Sequence, residues 1–181
     1  MMKIKLENFE LKIITASEYE AYFVLIDNNR KRLKTYFPKT VGAVKDLEQA
    51  KAYLKKICQK NIDKEIYPFG VYRNNNLVGW ISIKNMDWRI PKGELGYYID
   101  ESNQGQGIIS EGVQAIVKYA FEDLKVEKLF IRTGLDNVGS QKIALKNGFK
   151  KEGVLRSEFR IDNGELVDTN YFGLLRREFN N

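Results

Sequence analysis

The stretch "YYIDESNQGQGIISEGVQAIVKYAFEDL", residues 97–124, constrains the fold most, because a polar turn with two glycines joins an apolar segment to a long helix. Apolar residues then recur at i, i+3, i+4 and i+7 spacing, which marks one face of a helix. They are Val113, Ile116, Val117, Ala120, Phe121 and Leu124. Because the strand-like segment "KLFIRTG" follows, the sequence predicts a strand, helix, strand crossover at the centre of a mixed α/β fold.

The remaining segments predict antiparallel hairpins before and after this crossover. A first strand is expected within residues 3–14, helices over 17–29 and 44–60, and a loop over 30–42. "EIYPFGVYR" and "LVGWISIKN" flank a three-asparagine turn and predict a hairpin, "KGELGYYID" predicts a third strand, and "SQKIALKNG" a short helix. The arms "VLRSEFRI" and "LVDTNYFGLL" predict a final hairpin. We expect one domain over residues 1–181, with a mixed, mostly antiparallel sheet of about seven strands flanked by helices.

The lack of histidine and the single cysteine exclude several enzyme classes. The 181-residue chain has no histidine and a single cysteine, Cys58. A Ser-His-Asp triad, a zinc finger and a structural disulfide are therefore excluded, and no metal is expected. Cys58 lies in a helical pattern, where an inert thiol is commoner than a nucleophile with a positioned base.

Charge and hydropathy limit the kinds of partner that the protein is expected to bind. The net charge of +6 favours anionic partners such as nucleotide phosphates, acidic proteins or nucleic acid. The densest basic run, "NNRKRLKTYFPK", fits a solvated helix end as well as an RNA contact. No apolar run approaches the roughly 20 residues of a membrane span, and the start of the chain lacks a secretory pattern. We therefore expect a cytoplasmic protein with no membrane contact.

The turn in "NQGQGIISEG" is the strongest candidate for a ligand site. A Walker A motif is absent, and Ser110 stands where a dinucleotide fingerprint needs its third glycine. Gly105 and Gly107 allow a ligand close to the backbone, and the amides of the following helical turn are free donors at the positive end of a dipole. A pyrophosphate would fit, although a plain strand-to-helix turn explains the same residues.

Two motifs in order resemble the GNAT family of N-acetyltransferases. The pattern Gln/Arg-x-x-Gly-x-Gly/Ala falls on Gln104, Gly107 and Ile109, with isoleucine as a departure at the last position. A second family segment matches "NVGSQKIALKNGF", in which Asn137, Ser140, Gly148 and Phe149 have the expected spacing. Together with "NGELVDTNYFGLLRREF", these segments look like the RimJ/RimL branch, which acetylates protein N-termini, notably those of ribosomal proteins.

The resemblance implies an acetyl-CoA site. Backbone groups of the third strand would pair with the pantetheine arm, the glycine turn would cradle the pyrophosphate, and the second motif would hold the pantetheine from the other side. The implied coenzyme residues are Tyr97, Tyr98, Ile99, Gln104, Gly105, Gln106, Gly107, Ile108, Ile109, Ser110, Asn137 and Ser140.

The resemblance also implies direct attack of an amine on the thioester in a ternary complex. A backbone amide near Tyr98 would stabilise the oxyanion. The usual acid, a tyrosine seven residues after the motif asparagine, is replaced by Ala144, which leaves Ser140 as the proton donor or as a helix cap only. Glu158 is the first candidate base and Glu94 the second, each with a surface or ion-pair role as the alternative. Water could also accept the proton, because about a tenth of a protein α-amine is already neutral at pH 7.

Acceptor contacts are expected from Tyr36 and Phe37 and from Trp88 and Arg89, unless these side chains pack in the core. The positive charge would suit an acidic ribosomal protein, and the terminal hairpin could supply the edge of a homodimer. One alternative is acetylation of a small amine such as a polyamine or an aminoglycoside. Another is a non-catalytic acyl-CoA sensor or a nucleic-acid-binding module, because a fold alone does not establish activity.

Overall fold

The computed structural model describes residues 2–179 and contains, within them, one eight-stranded sheet. The spatial order is β1-β2-β3-β4-β5-β6-β8-β7, and every pair is antiparallel except β5 and β6. The strands are β1 Lys3–Lys5, β2 Glu10–Ile13, β3 Tyr67–Arg73, β4 Asn76–Asp87, β5 Lys92–Ile99, β6 Lys128–Gly134, β7 Lys150–Arg160 and β8 Leu166–Leu175. This confirms the mixed, mostly antiparallel sheet, with eight strands rather than about seven.

Seven α-helices flank this sheet within the same residues. They are α1 Tyr19–Asn28, α2 Arg30–Tyr36, α3 Pro38–Ala43, α4 Leu47–Ile62, α5 Ile108–Glu122, α6 Val138–Lys146 and α7 Arg176–Phe179. Two single turns of 3-10 helix, Ala16–Glu18 and Glu101–Asn103, precede α1 and α5. None of the helices described is long and apolar enough to cross a membrane.

For the N-terminal third, one expectation was incomplete and another was wrong. Residues 3–14 form two strands, which pair as a hairpin from Lys3 opposite Lys12 to Lys5 opposite Glu10. Residues 30–42 form α2 and most of α3 rather than a loop. Each of these helices buries one apolar side chain, Leu33 and Val41, so neither shows the periodic stripe that predicts a helix from sequence.

The packing on the sheet divides at β5, where successive side chains point to opposite faces. One apolar cluster lies between the sheet and α5, and it includes Val113, Ile116 and Phe121 of the predicted stripe. A second cluster lies between the opposite face and α1 to α4, and it includes Trp80 and Tyr98. Tyr97 packs against the first cluster and Tyr98 belongs to the second, so neighbouring residues of β5 serve different faces.

The sheet opens between its two parallel strands. β5 and β6 pair only through Lys92, Gly93 and Glu94 with Lys128, Leu129 and Phe130. Beyond Glu94, β5 continues along β4 alone, and beyond Phe130, β6 continues along β8 alone. We call the gap that results, between Leu95–Ile99 and Ile131–Gly134, the strand opening. Backbone groups facing it have no partner in the other strand and can bind a ligand.

The end of α6 provides a test of the packing. Gly148, at φ +82°, terminates this helix in a left-handed conformation, and Phe149 then enters the core with 2% of its surface exposed. Phe149→Ala should lower the free energy of unfolding by about 3–5 kcal/mol, since it leaves a cavity where a ring was packed. Chemical denaturation followed by circular dichroism measures this change.

Leu145→Ala is the matched control, because Leu145 lies on the same helix with 58% of its surface exposed. It should change the free energy of unfolding by no more than about 0.5 kcal/mol. Equal losses in both variants would contradict the burial described for Phe149.

Candidate active site

A cavity of about 890 Å³ runs along the strand opening and contains most of the predicted site. Its walls come from the junction of α2 and α3, from β5 and β6, from the starts of α5 and α6, and from the facing parts of β7 and β8. The predicted residues that line it are Tyr36, Phe37, Glu94, Tyr97, Tyr98, Ile99, Gln104, Gly105, Gln106, Gly107, Ile108, Ile109, Ser110, Asn137, Ser140 and Glu158. Motifs far apart in sequence therefore meet in one space.

Two predicted acceptor residues lie outside this lining. The Trp88 indole donates to the backbone oxygen of Lys64 and packs edge-on against Tyr67, with ring centroids 6.5 Å apart. Arg89 pairs with Asp87 at 3.0 Å. Both residues follow the end of β4, away from the strand opening, so they take no part in the function proposed below.

The glycine turn has the geometry of an anion site. Gly105 and Gly107 have φ values of +72° and +81°, and Gly107 is the residue that begins α5. A Cβ atom on Gly105 would meet no heavy atom within 4 Å, so the space above this residue is open. Arg73 adds a positive charge, since its Nη1 donates to Gln106 Oε1 at 2.5 Å. The free amides of a 15-residue helix and a cation thus converge on one turn.

The departure at Ile109 leaves this turn intact. The Ile109 side chain is buried in the α5 cluster, and Gly105 and Gly107 keep their left-handed conformations. Isoleucine here therefore adds to the core. Ile99, predicted to pair with the pantetheine arm, already accepts a hydrogen bond at its backbone oxygen from Arg32 Nη2. Arg32 belongs to the basic run of the sequence, and this contact gives that run a structural role at the cavity wall.

The second motif meets β5 across the opening. Asn137 caps α6, because its Oδ1 accepts from the Ser140 backbone amide at 3.1 Å. The Ser140 hydroxyl is therefore not the cap, and Ser140 Oγ lies 2.9 Å from the Tyr97 phenol oxygen. Ala144, which stands where the resemblance leads us to expect a tyrosine, is fully buried and outside the cavity lining. Ser140 and Tyr97 therefore place two adjacent hydroxyl groups at the cavity wall.

Burial changes the pKa of the Tyr97 phenol. Loss of solvent raises the pKa of Tyr97 to about 12, while the hydrogen bond with Ser140 acts in the opposite direction. The phenol is therefore protonated at neutral pH.

The single thiol shows no sign of reactivity. Burial raises the pKa of Cys58, which disfavours a reactive thiolate, and this thiol lies outside the cavity lining.

The two candidate bases share one arginine. Glu94, with 6% of its side chain exposed, accepts from Arg132 Nη2 at 2.8 Å and from Asn85 Nδ2 at 2.6 Å, and Lys84 Nζ lies 3.6 Å away. Glu158, with 36% of its side chain exposed, binds Arg132 Nη1 at 2.5 Å through one oxygen. Glu94 is thus enclosed by cationic and amide donors, whereas Glu158 keeps access to the cavity.

Arg132 was missed from sequence, although it connects both carboxylates. Burial lowers the pKa of Arg132, but its hydrogen bonds and charge interactions with Glu94 and Glu158 outweigh burial and hold the pKa above its usual value. The signal available in sequence was one charged residue inside the apolar strand "KLFIRTG". Such a residue in a central strand requires a partner, and only the tertiary structure identifies Glu94 in that role.

A scan of protein-family models matches residues 8–150 to the acetyltransferase (GNAT) domain. The chain belongs to the GNAT acetyltransferase family. Among relatives, this acetyltransferase is 30% identical over 159 residues to the ribosomal-protein-serine acetyltransferase of Escherichia coli, covering 86% of this chain and 87% of that one. It is 27% identical over 168 residues to the uncharacterized N-acetyltransferase YoaA of Bacillus subtilis, covering 92% of each. A more distant relative, the spermidine N(1)-acetyltransferase of Vibrio cholerae, is 23% identical over 156 residues, covering 86% and 87%.

Solved structures show the same fold. The ribosomal-protein-S5-alanine acetyltransferase of Vibrio fischeri superposes with a TM-score of 0.91 at 22% identity, covering 99% of each chain. The ribosomal L7/L12 alpha-N-protein acetyltransferase RimL, in complex with coenzyme A, superposes with a TM-score of 0.89 at 22% identity, covering 96% of this chain and 98% of that one. The crossover of β5, α5 and β6 around a strand opening is therefore the GNAT arrangement.

Acetyl-CoA is the acetyl donor of this acetyltransferase, as in its family. The residues present fit it, because the open space at Gly105, the free amides of α5 and the unpaired edge of β5 offer donors along one continuous cavity. The coenzyme supplies an activated acetyl thioester. Within residues 2–179 no group of metal-ligating side chains accompanies it.

Gly107→Ala tests the anion turn. The left-handed conformation costs a residue with a Cβ atom about 1–2 kcal/mol. The backbone of the turn should therefore relax, and its amides should no longer point toward the pyrophosphate. We expect the Kd for coenzyme A, measured by calorimetry, to rise by roughly tenfold, which corresponds to about 1.4 kcal/mol. Gly42→Ala is the control, because a Cβ atom there meets nothing within 4 Å and Gly42 has no left-handed conformation. An unchanged Kd in Gly107→Ala would refute the role given to this turn.

Proposed function

We propose that this acetyltransferase transfers acetyl from acetyl-CoA to the N-terminal amine of a protein, by direct attack in a ternary complex. The observation that carries the proposal is that Ser140 and Glu158, the acid and base expected of the RimL type, line the same cavity. An amine and a thioester bound there would have a proton acceptor in Glu158 and a proton donor in Ser140. Coenzyme contacts are assigned to the glycine turn, to the edge of β5 and to Asn137.

The charge around the acceptor end of the cavity favours a peptide over a polyamine. Glu94 and Glu158 are both paired with Arg132, and Lys84 adds a further positive charge. Asp136 accepts from the Tyr36 hydroxyl at 3.2 Å. Arg132 thus neutralises two of the four carboxylates in the lining, while Asp136 and Asp168 show no ion pair among the residues described. A polycation would need several uncompensated carboxylates, whereas a single α-amine followed by amide groups needs only one free oxygen and hydrogen-bonding partners. Tyr36 and Phe37, at the end of α2 and just beyond it, are assigned to acceptor binding.

The protein acceptor is proposed to be an acidic ribosomal protein. Relatives named for ribosomal-protein acetylation support this choice. So does the net charge of +6, with exposed Lys31 and Lys39 on α2 and α3, the helices whose junction lines the cavity. Electrostatic attraction of this kind raises the association rate more than the affinity. The rate constant for association should therefore fall steeply as salt increases.

A panel of acceptors tests the function. Release of free thiol from acetyl-CoA should be measured with peptides beginning in Ser, Ala and Met, with spermidine and with an aminoglycoside. We expect turnover of Ser peptides, and a kcat roughly 10- to 100-fold lower in Ser140→Ala, because a coenzyme thiolate is a good leaving group that needs moderate help from an acid. Mass spectrometry of the product should place the acetyl group on the α-amine.

The other outcomes of the panel are informative. Preference for spermidine would move the function to small amines while leaving the family unchanged. Binding of coenzyme A without turnover of any acceptor would instead favour an acyl-CoA sensor. Full activity of Ser140→Ala would limit Ser140 to coenzyme contact.

Glu158→Gln tests the base. About a tenth of an α-amine is neutral at pH 7, and almost all of it is neutral at pH 9.5. The loss of kcat/KM in Glu158→Gln should therefore be roughly tenfold at pH 7 and should shrink toward unity as the pH rises. Glu152→Gln, at an exposed pair with Lys128, is the control and should leave kcat/KM unchanged. A loss independent of pH would contradict a base role for Glu158.

Two expectations stay predictions. A homodimer through the terminal hairpin is consistent with β7 as the outer strand of the sheet, and light scattering would test it. Cytoplasmic location follows from the proposed acceptor and needs its own experiment, such as cell fractionation.

A further inference from the structure

The Tyr97 side chain has contacts that the predicted backbone role does not explain. Its phenol oxygen lies 2.9 Å from Ser140 Oγ and 3.3 Å from the Ser140 backbone oxygen. Both residues line the cavity at the strand opening. Among the residues described, Tyr97 is the one hydrogen-bond partner of Ser140 Oγ. A hydroxyl pair therefore bridges β5 and α6 where the thioester is expected.

We propose that Tyr97 is a positioning residue, which donates its phenol hydrogen to Ser140 Oγ and so directs the Ser140 hydroxyl hydrogen toward the departing sulfur. The pair takes the place of the single tyrosine acid that Ala144 cannot supply. This inference rests on the proposed function, because it assigns Ser140 the role of proton donor.

The direction of the hydrogen bond follows from the competing acceptors. The Ser140 backbone oxygen lies inside α6, where the amide four residues later satisfies it, and it is the farther of the two acceptors. Ser140 Oγ is the nearer one, and Asn137 rather than Ser140 caps the helix. Once Oγ accepts from Tyr97, its own hydrogen is free for a third group, since a hydroxyl donates one hydrogen and accepts at two lone pairs.

The proton transfers balance. The acceptor nitrogen forms its bond to the acetyl carbon, and Ser140 gives its hydroxyl proton to sulfur as the carbon–sulfur bond breaks with its electron pair left on sulfur. Tyr97 gives its phenol proton to Oγ, and water then returns a proton to Tyr97. Glu158 or water takes the proton that the amine loses. A phenol is a stronger acid than an aliphatic hydroxyl, so a relay ending at Tyr97 costs less than one ending at Ser140.

The first test needs no turnover. A fluorinated tyrosine at position 97 lowers the phenol pKa into an accessible range and provides a fluorine NMR signal. When the phenol ionises, the Ser140 hydroxyl can reverse the hydrogen bond and donate to the phenolate, which lowers the pKa of Tyr97. Ser140→Ala should therefore raise the pKa of this fluorinated phenol and shift its resonance in the ligand-free protein. An identical titration curve in the two proteins would overturn the proposal.

The second test is kinetic, with a Ser peptide as acceptor. Tyr97→Phe should lower kcat roughly tenfold and leave the KM for acetyl-CoA within about twofold. In Ser140→Ala, adding Tyr97→Phe should cause no further loss, because Tyr97 acts through Ser140. Tyr119→Phe is the matched control, since this partly buried tyrosine packs on Tyr67 and Phe69, outside the cavity lining, and it should keep the full rate.

The outcomes separate this inference from the proposed function. Unchanged kcat in Tyr97→Phe, multiplied losses in the double variant, or a higher KM with unchanged kcat would each overturn the positioning role while transfer to the peptide stands. Failure of the wild-type protein to acetylate any peptide would overturn the proposed function instead. The fluorine titration would then still report whether Tyr97 and Ser140 are coupled. In the protein with fluorinated tyrosine at position 97, kcat should begin to fall at a lower pH than in the wild type, because the fluorinated phenol loses its proton at a lower pH.

Discussion

The separation of β5 from β6 is the constraint on which the rest of the site depends. The two strands share three residue pairs and then follow different neighbours, so backbone groups along the opening are left for a ligand. The same divergence lets α5 begin at the opening with its amides free and brings α6 close to Tyr97. Glu94 is the last residue of β5 paired with β6, and Arg132 binds it from the start of the strand opening. An enclosed ion pair thus occupies the point where the strands part.

Arg132 also shapes the chemistry of the cavity. A carboxylate as enclosed as Glu94 is tolerated because Arg132, Asn85 and Lys84 surround it, and removing one partner of such a pair generally costs 3–5 kcal/mol. By reaching Glu158 as well, Arg132 neutralises two of the four carboxylates that line the cavity, while Asp136 and Asp168 show no ion pair among the residues described. The two carboxylates bound by Arg132 therefore differ in their surroundings: Glu94 is enclosed where β5 and β6 separate, and Glu158 lines the cavity with 36% of its side chain exposed.

The sequence correctly predicted the helices and turns that are specified by neighbouring residues. The stripe of α5 and the turn of the β3–β4 hairpin, with Asn74 and Asn75 at positive φ, are set by nearby residues, and the structure confirms them. The helices α2 and α3 were missed because each is anchored by a single buried side chain, so their stability comes from packing on the sheet. Trp88 was grouped with the acceptor site because its place in the fold is unreadable from sequence: it is 41% exposed, but it lies beside Tyr67 and outside the cavity lining.

The sequence by itself determined the central strand, helix, strand crossover and the hairpins on either side of it, the glycine turn at the head of α5, the absence of histidine chemistry and the two spaced motifs that indicate an acetyltransferase. These follow from periodicity, backbone conformation and residue type, which act over a few residues. Only the tertiary structure decided where β5 and β6 separate, that Arg132 joins Glu94 to Glu158, and that Tyr97 meets Ser140 across the opening. Such contacts join residues 26 to 43 positions apart. Chain packing rather than local preference selects them, because each depends on the placement of two independent elements.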